Sequence, residues 1–144
     1  VVINGTSHVL GSDKQAIERG VKHARSASSR QLPVNVTVAD GKINVDLPAA
    51  KGSGQPAEVW LCALAKHVPV QIGRGENRGQ TITYTNVVRS WTKLGDWKGE
   101  AISLSKPLSE LSGEIDAVAV LVQGGKPDAP GIVYGAAAAT LAQK

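Results

Sequence analysis

The segment 33–48, PVNVTVADGKINVDLP, constrains this chain more than any other. Val34, Val36 and Val38 alternate with polar residues, Asp40-Gly41 follows, and Ile43, Val45 and Leu47 then alternate in the same way. A period of two places each apolar set on one face of a strand. Asp-Gly between two such runs is a strong signal for a tight hairpin turn, because both positions accept positive φ. The segment predicts a β-hairpin with one apolar face, and such a face needs a second layer to cover it.

The remainder of the chain supplies that layer. AEVWLCALAKHVPVQI (57–72) reads as one long strand, or two broken near His67, with Val59, Leu61 and Ala63 on one face and Trp60, Cys62 and Leu64 on the other. A strand apolar on both faces belongs in the middle of a sheet. QTITYTNVVRSWTKLG (80–95) sets Ile82, Tyr84 and Asn86 against Thr81, Thr83, Thr85 and Val87. EAISLS, IDAVAVLVQ and GIVYGAAAATL complete the series, with turn-rich punctuation at 51–56, KPLSELSGE and GGKPDAPG. The alanines 136–139 read as strand, since Val133 and Tyr134 lead into them and Gly135 interrupts a helical register. Aromatic residues make up 3% with no Phe, so the core has to come from Val, Ile, Leu and Ala, which suits sheets. These signals predict a mainly β fold, an antiparallel β-sandwich of about seven strands.

Residues 1–30 have a different texture and form a unit apart from 31–144. VVIN and HVLG flank Gly5 at hairpin length. GSDKQAIERGVKHARSAS follows as a helix, with Ser12 placed to cap it and Gln15 completing a capping box. Ile17, Val21 and Ala24 recur at i, i+4 and i+7 as one narrow apolar stripe. So short a helix, with Gly20 inside it, requires a docking partner that a two-stranded hairpin supplies poorly.

Several function classes find no support. A net charge of +4, from 16 Lys and Arg against 12 Asp and Glu, comes without a dense basic block, which argues against nucleic-acid binding. No apolar run approaches the ~20 residues of a spanning helix. Cys62 is the one cysteine, which excludes an intrachain disulfide or a CxxC pair, and it reads as a small buried hydrophobe. His8, His23 and His67 are scattered without a second ligand at metal spacing, so neither metal nor cofactor is expected. No G-x-S-x-G elbow or placed carboxylate pair is present, which leaves no catalytic constellation to name. The chain contains no methionine and opens on VVING without a charged or hydrophobic leader, so it reads as a fragment or processed product.

Two groups of residues invite a binding role. IGRGENRG (72–79) has a GxGxxxG spacing leading into a strand, whereas a dinucleotide fingerprint needs GxGxxG opening a helix. Its residues Arg74, Glu76, Asn77 and Arg78, together with Asn86 and Arg89, are expected to satisfy one another: Glu76 accepts hydrogen bonds from the arginines, and Asn77 and Asn86 hold the turn backbone. An anion or partner contact by the same arginines is the alternative. Trp60 is expected in the core. Trp91 and Trp97 flank TKLGD and are expected to staple a hairpin there, with surface contact to a glycan or protein as the alternative.

The segments VVINGTSHVLGSDKQAIERGV, VWLCAL, IGRGENRGQTITYTNVVR, LGDWKG, AVAVLVQ and IVYGAA, in this order, resemble the C-terminal part of a secreted bacterial family catalogued as a domain of unknown function. In that family a thioredoxin-like domain, usually with a cysteine motif, precedes a β-rich domain. GRGENRG…NVVR is the most specific part of the likeness. The resemblance implies that residues 1–30 are the last hairpin and helix of a thioredoxin-like domain, and that 31–144 is a non-catalytic accessory domain positioning that redox domain or its substrate. It implies a periplasmic or secreted location, with the thioredoxin-like domain of the same precursor as partner. Any thiol-disulfide oxidoreductase activity would lie in a preceding part, and Cys62 does not match the redox position. The competing expectation is an independent glycan- or protein-binding module using 73–79 and Trp91–Trp97.

Overall fold

The computed structural model describes residues 1–27, 31–50, 56–126 and 128–141. The expected loop at 51–56 lies, except for Pro56, outside the described residues, as does Pro127 in the GGKPDAPG connection. The fold is mainly β, with 57% strand and one α-helix among the described residues.

The N-terminal hairpin pairs β1 (Val2–Ile3) with β2 (Ser7–His8), turning through Asn4 and Gly5 at φ 51° and 82°. The helix α1 (Lys14–Ala27) follows. Its cap is Asp13 rather than the expected Ser12: Asp13 Oδ1 accepts the Ala16 amide at 2.9 Å, three residues on, as an N-cap side chain does. Ile17, Val21 and Ala24 are only half-buried, and the Ile3 side chain lies against Gly20 on the same stripe.

The expected hairpin forms as β3 (Asn35–Ala39) and β4 (Lys42–Leu47), with Asp40 and Gly41 at φ 50° and 71°. β7 (Ile102–Pro107) joins the other side of β4 and completes a three-stranded antiparallel sheet, β3-β4-β7. The second antiparallel sheet has the order β6-β5-β8-β9, built from β5 (Ala57–Gln71), β6 (Thr81–Trp97), β8 (Ala117–Lys126) and β9 (Ala129–Thr140). β5 is one unbroken central strand, and the alanines 136–139 lie within β9.

One apolar cluster draws on both sheets. Ile43, Val45 and Leu47 from β4 meet Ala57, Val59 and Leu61 from β5 and Val118, Val120 and Val122 from β8. Leu32 closes the β9 side: its amide donates to the Tyr134 carbonyl at 2.9 Å, and its own carbonyl lies where a Cβ on Gly135 would come within 2.3 Å. Only glycine admits that approach.

Trp97 belongs to this core, at 1% exposure. The expected staple between Trp91 and Trp97 does not form, because TKLGD is not a turn. Leu61, Trp60 and Val59 pair in succession with Thr92, Lys93 and Gly95, leaving Leu94 as an extra residue in β6. This bulge reverses the facing of everything beyond it. Trp97 consequently points into the core and Trp91 points out.

Candidate functional site: the outer face of the four-stranded sheet

Along β5, Val59, Leu61 and Ala63 face the core, so Glu58, Trp60, Cys62 and Leu64 face outward. The same outward face carries Lys93, Trp91 and Val88 from β6 and Ala117, Ala119 and Leu121 from β8, each opposite its β5 partner. Across β8, Ala136, Ala138 and Thr140 of β9 continue it. A second bulge, at Arg89, keeps Val88 on the same side as Trp91.

Cys62, Leu64 and Ala117 form a small buried cluster here, with Ala119 and Leu121 packed on it. Trp60, half-buried on this face rather than in the core as expected, meets Trp91 with ring centroids 5.8 Å apart and planes tilted by 41°. Trp91 and Val88 remain 47% and 48% exposed. Burial among these apolar groups pushes the Cys62 thiol up to about 11 from its ordinary 9.0, so it is protonated and unreactive at neutral pH.

The two ends of this face carry different sets of charged groups. At one end Lys93 Nζ lies 2.7 Å from both Glu58 Oε1 and Asp96 Oδ1, a net negative trio. Hydrogen bonds first to Asp96 and then to Glu58 hold the Lys93 ammonium charged and push its pKa up. At the other end Lys66 Nζ donates to Thr140 Oγ1 at 2.8 Å. The Lys66 amide donates to both carboxylate oxygens of Asp116, at 2.9 and 3.2 Å, where β8 ends and no further strand can accept it.

Beyond that point β5 and β6 run on alone as a two-stranded arm. Val68 and Val70 face Tyr84 and Ile82 across it, and Tyr84 is 49% exposed. The residues singled out in the sequence do not converge. Arg74, Glu76, Asn77 and Arg78 sit exposed at the tip of the arm. Asn86 lies mid-strand at φ 53°, opposite the unpaired position of Lys66, and does not tie down the tip. Arg89 lies at the root of the arm, beside a cleft that it lines with His67, Pro69, Leu108, Glu114 and Asp116.

The expected Glu76–arginine network is absent: among the described residues, no ion pair involves Glu76, Arg74, Arg78 or Arg89. The tip is closed instead by its backbone. The Ile72 amide donates to the Gln80 carbonyl at 2.9 Å and the Gly79 amide to the Ile72 carbonyl at 2.8 Å, while Arg78 and Gln80 donate to Gly75 and Asn77. Gly75 and Gly79 adopt φ 85° and 84°, which turns the chain without help from side chains.

No group of three metal-ligating side chains occurs among the described residues, and among them no helix is long and apolar enough to cross a membrane.

The model of the family described as "Protein of unknown function (DUF1223)" matches residues 1–123. The chain belongs to this family. DUF1223 membership thus covers the N-terminal hairpin, the helix and the strands through most of β8. A crystal structure of a protein from Agrobacterium tumefaciens shares the fold with a TM-score of 0.75 at 23% identity. The match covers 94% of this chain and 58% of that one, so this chain spans little more than half the length of that protein. No curated protein matches it.

Sequence reasoning missed Trp60 as a surface residue and the pairing of Glu58 with Lys93. The signal was present in VWLCALA, where both strand faces are apolar, although a strand with an uncovered face and one buried on both faces read alike.

Proposed function

We propose that this chain is a non-catalytic β-sandwich accessory domain of a longer, secreted thioredoxin-like protein, and that it positions the redox domain or its substrate. Residues 1–30 are then the end of the thioredoxin-like domain, and 31–144 is the accessory domain proper. The observation that carries this reading is the apolar stripe of α1. Ile17, Val21 and Ala24 stay half-buried, and the hairpin beside them is held to β9 through the Val133 amide donating to the Asn4 carbonyl at 3.1 Å. A 14-residue helix with so little covering its stripe is stable only when further structure packs on it. The cleft between α1 and β9, lined by Ile3, His23, Leu32, Ile132 and Tyr134, leaves room at this seam. The length of the Agrobacterium protein, of which 58% is matched, is consistent with more chain in the parent.

The test is the parent protein. A strand and helix carrying a CxxC pair are expected upstream of Val1. Hydrogen exchange in α1 should also be slower in the parent than in residues 1–144. A parent with no thioredoxin-like segment upstream overturns the reading. The alternative, an independent glycan- or protein-binding module using 73–79 and Trp91–Trp97, loses its paired tryptophans, because Trp97 is inside the core.

A further inference from the structure

The outer face of the four-stranded sheet is not explained by the seam at α1, and its layout suggests an occupant. We infer that it is a self-association surface that takes a second copy of this chain, with the two sheets packed face to face and their β5 strands antiparallel.

Charge sets the pairing of the two copies. Glu58 and Lys66 lie on the same outward face of β5, four residues to either side of Cys62. That Lys66 faces outward follows from its ammonium reaching Thr140, whose cross-strand neighbour Ala117 belongs to the Cys62 cluster. A two-fold axis lying between the sheets, across the strands at Cys62, brings Glu58 of each copy over Lys66 of the other. The net negative trio Glu58, Asp96 and Lys93 then meets the Lys66 ammonium at both ends of the interface, while Asp116 beside it is engaged by the Lys66 backbone amide. Sheets stacked with nearly aligned strands are an ordinary packing mode. The alternative axis, along the strands, would place like ends together.

Size and chemistry agree with this arrangement. Four strands at about 4.8 Å spacing and about nine residues of 3.3 Å rise give a face of roughly 600 Å², or about 1,200 Å² for the pair, at the lower end of specific interfaces. Its centre holds Trp60, Trp91, Val88 and Leu121, and its charges lie at the two ends, which is the layout of an apolar core with a polar rim. This proposal goes beyond the accessory-domain reading and does not depend on it.

Sedimentation of the 144-residue chain over a concentration series should show a monomer–dimer equilibrium. Trp91→Glu, at a side chain already half exposed, should keep the native circular dichroism spectrum and weaken dimerisation by about 30-fold or more, the scale of a lost hot spot. Lys66→Glu and Glu58→Lys should each dimerise poorly alone. Mixed in equal amounts they should form a heterodimer, since one Glu58–Lys66 contact is then kept as it was and the other is restored with its signs exchanged. A chain that stays monomeric at all concentrations overturns the proposal, as does a Trp91→Glu variant that dimerises like the original. A mixture no more dimeric than its components overturns the antiparallel arrangement on which the choice of occupant rests.

Discussion

The outer face of the three-stranded sheet presents Asn35, Thr37, Asn44, Asp46, Ser103 and Ser105, with the Ser103 hydroxyl donating to Asp46 Oδ1 at 2.6 Å. The outer face of the four-stranded sheet presents Trp60, Cys62, Leu64, Val88, Trp91 and Leu121. Both sheets give their other face to the same core. The first follows the rule for a sheet half in water, with polar and apolar residues alternating. The second has the composition of a sheet covered on both sides, although Trp91 and Val88 on it stay 47% and 48% exposed. The difference teaches that core packing and contact with water together account for only three of the four faces of these two sheets. The fourth calls for a role outside the domain.

The largest effect should separate the inner from the outer side of β5 and β8. Leu61→Ala removes a side chain with 0% exposure from the shared core and should cost about 3 kcal/mol in urea unfolding. Leu121→Ala, half-buried on the outer face, should cost about 1 kcal/mol in a dilute monomer. Equal losses would show that the outer face is already covered, and the contrast between the faces would fail.

The next test uses Cys62 as a probe of that outer face. In the folded chain its thiol stays protonated up to about 11, whereas an unfolded chain ionises from 9.0. Its contribution to stability is therefore complete below pH 9 and is lost as the pH rises from 9 to 11. Stability should fall over that window more steeply than in Cys62→Ala, and the difference between the two curves isolates the thiol. Parallel curves would mean that water reaches Cys62 freely.

A smaller effect is expected on the polar face. Asp46→Ala breaks an exposed hydrogen bond with Ser103 and should cost no more than about 1 kcal/mol by the same unfolding measurement. A larger loss would mean that this face, too, is less open to water than its composition suggests.

How much of this was legible depended on parity. The alternation in 34–47 gave the hairpin, its turn and its buried face, because no bulge interrupts β3 or β4. In β6 the same reasoning fails at two residues. Trp91 and Trp97 are six apart and would share a face in a regular strand, but the extra residue Leu94 separates them into outside and inside. Leu94 carries no turn residue or charge that would announce a bulge, and Gly95 next to it reads as a turn. It is extended, and small because Leu104 lies 3.3 Å from where its Cβ would be. The helix cap moved by one residue for a simpler reason, since Ser12 and Asp13 are both good caps and the sequence does not rank them.

The smallest expected effect concerns the tip of the arm, where charge is dense but little depends on it. Four arm-tip amides, those of Ile72, Arg78, Gly79 and Gln80, find backbone acceptors within the loop, and Glu76 joins no ion pair. An exposed carboxylate without a fixed partner adds only its weak, salt-screened attraction to nearby arginines. Glu76→Ala should therefore change unfolding stability by less than about 0.5 kcal/mol, the range of surface substitutions. Gly79→Val should cost more, because it forces a β-branched residue into φ 84°. If the order were reversed, the tip would be held by its charges, and the arm would owe its shape to side chains as the core does, rather than to backbone bonds alone.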